Sequence, residues 1–304
     1  MLISRDPTPD RALLQSLAQR VLEAYSSVLT PGEAVALLDF PDHENVGDSL
    51  IWLGQRSALR ALRVDVDYAT VHRYHNPLEM ARRINAGAAL IQGGGNFGDL
   101  WPNYQRFRES LWEQEPHRRF VQLPQSVWFS DSENERRAAS ILREADVKVL
   151  VRDRRSEERL TSMGVAPLLV PDSAFVAELP TMPDSGGEGT LWVTRNDHEG
   201  GLEGVPATAR RLDWIVPRTP SWREFCPRVE HHSRAWLHVA RGRRPLTRIE
   251  GSALLHLYDR VAERRVVRGM TLLRSAKVIV SDRLHVHVLC LLLGIPHVVV
   301  SDRF

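Results

Sequence analysis

Four segments place polar or basic side chains directly after short apolar runs, the position where open α/β sheets bind ligands. They are 41–54 (PDHENVGDSLIWLG), 91–102 (IQGGGNFGDLWP), 149–160 (VLVRDRRSEERL) and 275–302 (SAKVIVSDRLHVHVLCLLLGIPHVVVSD). Their side chains are carboxylates, an asparagine amide, arginines and a histidine beside a predicted helix start. Such a set suits the binding of an anion together with proton transfer.

In the first segment, Asn45, Gly47 and Asp48 lie in a polar turn that leads into a helix. Gly47 permits a close backbone approach, and Asp48 places a carboxylate at the helix start. A second interpretation stays open, in which Asn45 or Asp48 only caps the helix.

The glycine-rich segment matches G-x-G-x-x-G at Gly93, Gly95 and Gly98. A dinucleotide fingerprint would open straight into a helix, but Asp99 and Pro102 interrupt the helix start here. We therefore predict a loop whose backbone N–H groups approach an anion or a sugar, with Asn96 and Asp99 beside them. A purely structural turn is the alternative.

Basic residues follow three further predicted strands. Arg152 and Arg195 each stand at a strand end, and Arg283 and His285 stand at the first turn of a helix. Free N–H groups and the helix dipole attract anions there, so Arg283 is expected to face a ligand rather than the core. The imidazole of His285 titrates near neutrality. His287 is expected to be a packing residue.

Short apolar runs alternate with amphipathic stretches, which predicts an α/β fold with two Rossmann-like parallel sheets that face a common crevice. The predicted first-half strands are 34–39, 64–69, 87–91, 119–123, 147–151 and 167–170. The predicted first-half helices are 47–62, 77–85, 103–115, 132–143 and 153–163, with Asp131 and Asp153 as N-caps.

The Pro- and Gly-rich stretch 178–190 marks a boundary between an N-terminal domain (1–178, acceptor side) and a C-terminal domain (190–304, donor side). In the second half we predict strands at 190–194, 212–216, 277–281 and 297–301. Helices are predicted near 230–241, 248–267 and 284–293.

Composition excludes several classes. The 304 residues are 43% hydrophobic and 26% charged, which is typical of globular domains. A net charge of +2 argues against a nucleic-acid binder, although only Lys148 and Lys277 of the 40 basic residues are lysines. Cys226 and Cys290 predict neither a disulfide nor a zinc site. Without a signal peptide or a membrane-spanning run, a cytoplasmic protein is expected.

The ordered segments NVGDSLIWLG, QGGGNFGDLW, LPQSVWF, VRDRRS, PDSAF and SDRLHVHVLCLLLGIPHVVV resemble the motif series of the bacterial polysaccharide pyruvyltransferase family. The resemblance covers about residues 35–304. It implies a fold similar to GT-B glycosyltransferases, phosphoenolpyruvate as donor, and a pyruvate ketal formed on a sugar. Arg283 and His285 match the family's donor-site arginine and histidine, and either Arg152 or Arg195 matches a further donor arginine.

The implied chemistry assigns roles to the remaining residues. Asp48 or Asp99 would act as the base, and His285 as the acid or the phosphate partner. Asn45, Gly95 and Asn96 would bind the acceptor. No step needs a metal or a redox cofactor, and phosphoenolpyruvate is a co-substrate.

The family's donor-binding lysine, which follows the last strand, has no counterpart, because the sequence ends at Phe304. Either the sequence is truncated, or Asp302 and Arg303 end a shortened site. Two other functions stay open: a nucleotide-sugar glycosyltransferase of the same architecture, and a catalytically silent glycan-binding relative.

An acceptor carried on a lipid diphosphate would bring the protein to a membrane. Two interpretations stay open for a set of basic residues in the second half: a solvated helix face, or a surface for peripheral, salt-sensitive contact with an anionic membrane at its inner face. The set is Arg234, Arg241, Arg243, Arg244, Arg248, Arg260, Arg264, Arg265 and Arg268.

Overall fold

The computed structural model describes residues 2–3, 10–183, 186–195, 206, 208–215 and 248–300. In chain order, its strands are β1 (Leu2–Ile3), β2 (Ala34–Leu38), β3 (Asp65–Thr70), β4 (Ala89–Ile91), β5 (Gly94–Gly98), β6 (Phe120–Trp128), β7 (Val147–Val151), β8 (Leu168–Leu169), β9 (Thr190–Val193), β10 (Arg210–Leu212), β11 (Val278–Ser281) and β12 (His297–Val299).

The described helices are α1 (Arg11–Ser26), α2 (Val46–Ala61), α3 (Pro77–Ile84), α4 (Pro102–Gln114), α5 (Ser132–Glu144), α6 (Arg154–Ser162), α7 (Arg248–Leu273) and α8 (Leu284–Leu293). Two 3₁₀ turns cover His72–Tyr74 and Ser173–Val176.

Two sheets confirm the predicted α/β fold. The first has the order β3-β2-β4-β6-β7-β8, with β5 also paired to β6, and all of its pairings are parallel. The second has the order β1-β12-β11-β9-β10, in which only β1 is antiparallel. Because β1 joins the second sheet, the first residues of the chain pair with its last described strand, across the predicted boundary.

One apolar core connects the two sheets. Phe40, which follows β2, stacks on Tyr258 of α7 at 4.2 Å, and Trp52 of α2 packs edge-on against both rings. Trp52 Nε1 also donates to Asp259 at 2.8 Å. Helix α2 is therefore held between the first sheet and α7, which sets where its N-terminus lies.

Most predicted elements agree with the structure to within one or two residues, and Asp131 and Asp153 are confirmed as N-caps. Helix α1 was not predicted. Residues 94–98 form a strand instead of a loop, and β10 lies before its predicted position at 212–216. The predicted helix at 230–241 lies outside the described residues.

The glycine-rich strand β5 depends on a close contact with β6. Gly98 has a φ of 120°, and a Cβ there would lie 1.6 Å from the carbonyl oxygen of Trp128. Only glycine allows the two strands to approach this closely. Among the described residues, no helix has the length and apolar character needed to cross a membrane.

Candidate active site

Three charged side chains meet where the two halves of the chain face each other. Arg152 Nη1 donates to Asp172 Oδ2 at 2.6 Å and lies 3.4 Å from His285 Nε2. His285 Nε2 lies 3.3 Å from the same Asp172 oxygen. We call Arg152, Asp172 and His285 the donor cluster.

Each member of the donor cluster is placed by the end of a secondary-structure element. Arg152 directly follows β7, and His285 lies in the first turn of α8. Asp172 caps the 3₁₀ turn at 173–176 by accepting from the Ala174 N–H at 2.8 Å. The cluster is thus built from strand ends and helix starts, as expected for a ligand site in an α/β fold.

The Asp172 carboxylate is buried and stays ionised. Burial alone would raise its pKa, but the charges of Arg152 and His285 and the hydrogen bonds of His285 and Ala174 hold the pKa well below its usual range. Asp172 therefore serves as a fixed counter-charge for Arg152 and His285.

A second set of hydrogen bonds fixes the orientation of the Arg152 guanidinium. Its Nε donates to Ser126 Oγ at 2.9 Å, and Ser126 Oγ donates to Asp153 Oδ2 at 2.7 Å. Its Nη2 faces Gly95, where a Cβ would lie 3.3 Å away. Since Gly95 is exposed, this last nitrogen points to the side from which a ligand would enter.

Helix N-termini converge on His285. A Cβ at Gly47, in the first turn of α2, would lie 2.8 Å from the His285 ring, so these two residues are in direct contact. His285 itself lies in the first turn of α8. The positive ends of both helix dipoles therefore add to the Arg152 charge at this point, which favours an anionic ligand.

Arg283 is not placed as the sequence predicted. Its side chain is only 5% exposed, and Nη2 donates to the buried Asp213 carboxylate at 2.7 Å. Within the described part of the chain, its Nε is buried without a hydrogen-bond partner. The prediction that the Arg283 side chain faces a ligand rather than the core is therefore wrong, because the side chain is half of a buried ion pair.

Of the two candidate donor arginines, Arg152 is the one whose guanidinium contacts His285. Arg195 follows β9, and its backbone N–H donates to Asp282 Oδ1 at 3.0 Å. Asp282 directly precedes Arg283, so Arg195 lies beside the start of α8, but its described contact is made by the backbone.

Asn45 and Asp48 form the N-terminal turn of α2. Asn45 Oδ1 accepts from the Gly47 N–H at 2.9 Å, and Asn45 Nδ2 donates to Asp48 Oδ2 at 2.7 Å. The capping interpretation is thus confirmed for Asn45. Asp48 also lies 3.5 Å from His43 Nε2, and its Oδ1 lies 3.5 Å from the Cβ position of Gly94. Asp48 therefore lies between α2 and the glycine-rich strand.

The orientation of Asn96 is fixed by buried side chains. Arg108 donates to both its backbone oxygen and its Oδ1 at 2.8 Å, and Gln125 Nε2 donates to Oδ1 at 2.7 Å. Because arginine only donates, Oδ1 must face Arg108, and the NH₂ group of Asn96 is turned away from it.

Asp99 holds a turn. Its two oxygens accept from the N–H groups of Ser130 and Asp131 at 2.7 and 2.8 Å. Burial opposes ionisation, but these hydrogen bonds, together with those of the Asn134 and Ser130 side chains, lower the pKa of Asp99. Asp99 lies four residues beyond Gly95, or about 13 Å along an extended strand. These contacts assign it a structural role before α5.

Two arginines of the predicted basic surface face the protein. Arg265 is 2% exposed and donates to the Pro41 carbonyl at 2.7 Å, while Arg268 pairs with Glu44 at 3.0 Å. The inclusion of both in a membrane-facing surface is wrong, because they bind the loop that precedes α2. Arg260 and Arg264 are exposed. The arginines at 234, 241, 243 and 244, and the side chain of Arg248, lie outside what the structure describes.

Sequence reasoning missed Asp172, Ser126 and Arg108. Asp172 and Ser126 stand in segments that were singled out, PDSAF and LPQSVWF, but no local pattern indicates their partners. No sequence feature indicates the role of Arg108, since a lone arginine on an amphipathic helix is usually solvated.

Comparisons with known proteins identify one family for this chain. The polysaccharide pyruvyl transferase family model matches residues 45–302. Pyruvyl transferase 1 of Schizosaccharomyces pombe is 29% identical over 293 residues, covering 88% of this chain and 66% of that protein. This chain thus spans just under two thirds of that relative. EpsO of Bacillus subtilis, whose description also names a pyruvyl transferase, is 25% identical over 301 residues, covering 95% and 87% of the two chains.

A solved structure from Klebsiella pneumoniae, of a functionally uncharacterised protein, matches with a TM-score of 0.58. It covers 98% of this chain and 91% of its own, at 13% identity. At that identity, the likeness shows the fold alone.

Proposed function

This chain belongs to the polysaccharide pyruvyl transferase family, and from that premise we propose that it moves the pyruvyl group of phosphoenolpyruvate onto two hydroxyls of a glycan sugar, closing a ketal. The observation that carries the proposal is the donor cluster, in which Arg152 and His285 meet between the N-termini of α2 and α8. No metal or redox cofactor is part of the proposed reaction.

The donor carries a phosphate and a carboxylate, and both need cations or N–H groups. We assign the phosphate to Arg152 Nη2, to His285 and to the free N–H groups of the two helix starts. The buried Arg283, which is paired with Asp213, is the N-cap residue of α8 and is a second donor-side residue. Arg195 remains a candidate for the carboxylate.

The reaction breaks two O–H bonds and the bond between C2 and the phosphate oxygen. One sugar hydroxyl attacks C2 while the methylene carbon gains a proton and becomes a methyl group. Loss of phosphate and attack by the second hydroxyl then form the ketal. Of the two hydroxyl protons, one balances the methyl group and the other balances the released hydrogen phosphate. A protonated His285, held by Asp172, is placed to give a proton.

The acceptor sugar is assigned to the carboxyl ends of the first sheet, beside Asp48, Gly95 and Asn96. The NH₂ group of Asn96 would donate to a sugar or pyruvyl oxygen, since its Oδ1 is occupied. A free or lipid-linked oligosaccharide would suit this open side of the cluster, and we propose no nucleic-acid partner.

The test is an incubation with phosphoenolpyruvate and a panel of sugars that offer pairs of neighbouring hydroxyls. We expect phosphate release that depends on the acceptor, with a mass gain of one pyruvyl ketal. Arg152→Met should abolish both signals, whereas Arg155→Met, on the exposed side of α6, should retain them. Protection from unfolding by a nucleotide sugar but not by phosphoenolpyruvate would contradict the proposal and favour a glycosyltransferase.

A further inference from the structure

A second ion pair lies at the carboxyl ends of the first sheet, outside the donor cluster. His72 Nδ1 lies 2.9 Å from Asp39 Oδ1. Asp39 directly follows β2 and His72 follows β3, so the pair joins two neighbouring strand ends. Asp39 is 3% exposed and adopts a positive φ of 68°, which few non-glycine residues adopt.

The pair orients the imidazole for accepting a proton. An ionised carboxylate only accepts hydrogen bonds, so the His72 nitrogen that faces Asp39 is the donor, and in the neutral imidazole this leaves the lone pair on Nε2. The rings of Tyr104 and Phe107 flank the imidazole, with centroids 5.1 and 6.0 Å away. The His72 side chain is 21% exposed, so a ligand can reach it.

Tyr104 links this pair to the donor cluster. Burial raises the pKa of Tyr104, and the charges of Asp39 and Asp48 raise it further, so its hydroxyl stays protonated within electrostatic reach of both carboxylates. Asp48 directly follows Gly47, which contacts His285. Helix α4, which carries Tyr104, also carries Arg108, whose guanidinium donates to Asn96, and the neighbouring Gly95 faces Arg152 Nη2.

Ketal formation needs more proton acceptors than the donor cluster offers. Two sugar O–H bonds break, but Asp172 is committed to Arg152 and His285 and is held ionised. His285, the remaining member of the cluster that can exchange a proton, is assigned to the donor. A base on the acceptor side is therefore required. The expected candidate Asp48 is engaged in the N-terminal turn of α2, where its Oδ2 accepts from Asn45 Nδ2 at 2.7 Å.

Resting on the function proposed above, we propose that His72, oriented by Asp39, is the base that deprotonates an acceptor hydroxyl, with Tyr104 binding the sugar beside it. The hydroxyl O–H bond breaks, its oxygen bonds to C2 of the pyruvyl group, and the proton moves to His72 Nε2. His72 then releases that proton to water, and the second hydroxyl loses its proton to water in the same way when its oxygen bonds to C2. The methylene carbon and the departing phosphate take up one proton each, which matches the two protons released. The net reaction thus balances.

Several charged groups surround the His72 ring. Asp39 contacts it directly, Arg73 is its neighbour and pairs with Asp42 at 3.4 Å, and Tyr104 faces it from α4. All of them stay in place in a His72→Gln variant. A change in the pH profile of that variant can therefore be assigned to the imidazole.

The experiment compares His72→Gln with His117→Gln, an exposed histidine of the same half. For His72→Gln we expect kcat to fall by about 10²–10⁴-fold, with the KM for phosphoenolpyruvate within a few-fold of wild type. The decline of kcat at acid pH, which reports protonation of the base, should disappear. Asp39→Asn should lower kcat in the same direction, and added imidazole should partly restore His72→Gly.

Three outcomes would overturn the inference, and they are distinguishable. If the wild type releases phosphate with an acceptor and His72→Gln does so within a few-fold, His72 is a structural residue and the proposed function stands. If the wild type never consumes phosphoenolpyruvate with any acceptor, the proposed function fails and this inference fails with it. A loss of kcat that imidazole cannot restore, with an unchanged pH profile, would also refute a base.

Discussion

The His285 ring occupies the space that a side chain at Gly47 would need: a Cβ there would lie 2.8 Å from three of its atoms. The three atoms are Cβ, Cγ and Nδ1 of His285, which lie close to the backbone rather than at the end of a flexible side chain. A glycine in the first turn of one helix thus sets the position of a histidine in the first turn of another. The site depends on that approach, because His285 must reach Arg152 and Asp172 across the two halves of the chain.

Gly47→Ala should therefore displace His285 and lower kcat/KM by at least about tenfold, since a displacement of about 1 Å at a reacting group is costly. The gain in helix propensity, about 0.5–1 kcal/mol, should offset part of the strain in the free energy of unfolding. Steady-state kinetics and urea unfolding check both. Ser132→Ala, in the first turn of the distant α5, is the control, and equal kinetics for the two variants would refute the contact's importance.

Arg152→Lys should keep the positive charge but lose the arrangement of three hydrogen-bonding nitrogens. Lysine cannot bind Ser126, Asp172 and a ligand at once, as the three guanidinium nitrogens can. Loss of a charge-assisted hydrogen bond of about 1.5–3 kcal/mol corresponds to a KM for phosphoenolpyruvate that rises by about 10–100-fold. Arg155→Lys should leave the KM unchanged. A KM within twofold of wild type for Arg152→Lys would remove Arg152 from the donor site.

Asp172 predicts a pH dependence of stability. Its pKa is lower in the folded state than in the unfolded chain, so its stabilisation is fully present above the unfolded value of about 3.9 and is lost as pH falls below it. Asp172→Asn should lower the free energy of unfolding by about 3–5 kcal/mol at pH 7, because Arg152 loses its buried counter-charge.

Urea unfolding at pH 7, 5 and 3 measures this effect. The difference between wild type and Asp172→Asn should be smaller at pH 3 than at pH 5, because protonation of Asp172 in the unfolded chain removes its stabilisation. A difference that stays constant down to pH 3, or grows there, would contradict the assignment of an ionised Asp172.

Arg283 and Asp213 should behave as a coupled pair. Removing the guanidinium in Arg283→Met leaves a buried carboxylate, at an expected cost of about 3–5 kcal/mol in the free energy of unfolding. In the double variant with Asp213→Asn the cost should be smaller than the sum of the two single costs. Strict additivity in a double-mutant cycle would show that the ion pair does not form in solution.

Arg265 should stabilise the contact between α7 and the loop before α2. Arg265→Met removes the hydrogen bond to the Pro41 carbonyl and should cost about 1–3 kcal/mol, whereas the exposed Arg260→Met should stay within about 0.5 kcal/mol. Urea unfolding tests the stability difference.

Co-sedimentation with anionic vesicles tests the remaining membrane prediction, which now depends on Arg260, Arg264 and residues outside the described ranges.

Sequence patterns were most informative where the cause is local. The alternation of apolar runs predicted both parallel sheets, and Asp131 and Asp153 cap helices through hydrogen bonds to residues two or three positions away. The glycine-rich segment was harder, because β5 is a strand only through its pairing with β6. That pairing is a tertiary contact. Glycine residues permit it, but their presence in the sequence does not indicate it.

The donor cluster could be predicted only in part. Arg152 and His285 were candidates because each follows a strand or opens a helix, but their contact spans 133 positions. It depends on how α2 packs against α7 and α8, and no periodicity reports that packing. The burial of Arg283 was missed for the same reason, since its partner Asp213 lies 70 positions earlier on a separate strand end.

The most direct test of the account follows the carbon atom at which the ketal forms. Phosphoenolpyruvate labelled with ¹³C at C2 is incubated with the protein and an acceptor sugar, and the product is examined by NMR. With wild type and with Arg155→Met, the label should appear in the sugar as a quaternary ketal carbon that bears a methyl group. With Arg152→Met, it should not appear there. Label recovered as free pyruvate, or left in phosphoenolpyruvate with every acceptor tried, would contradict it.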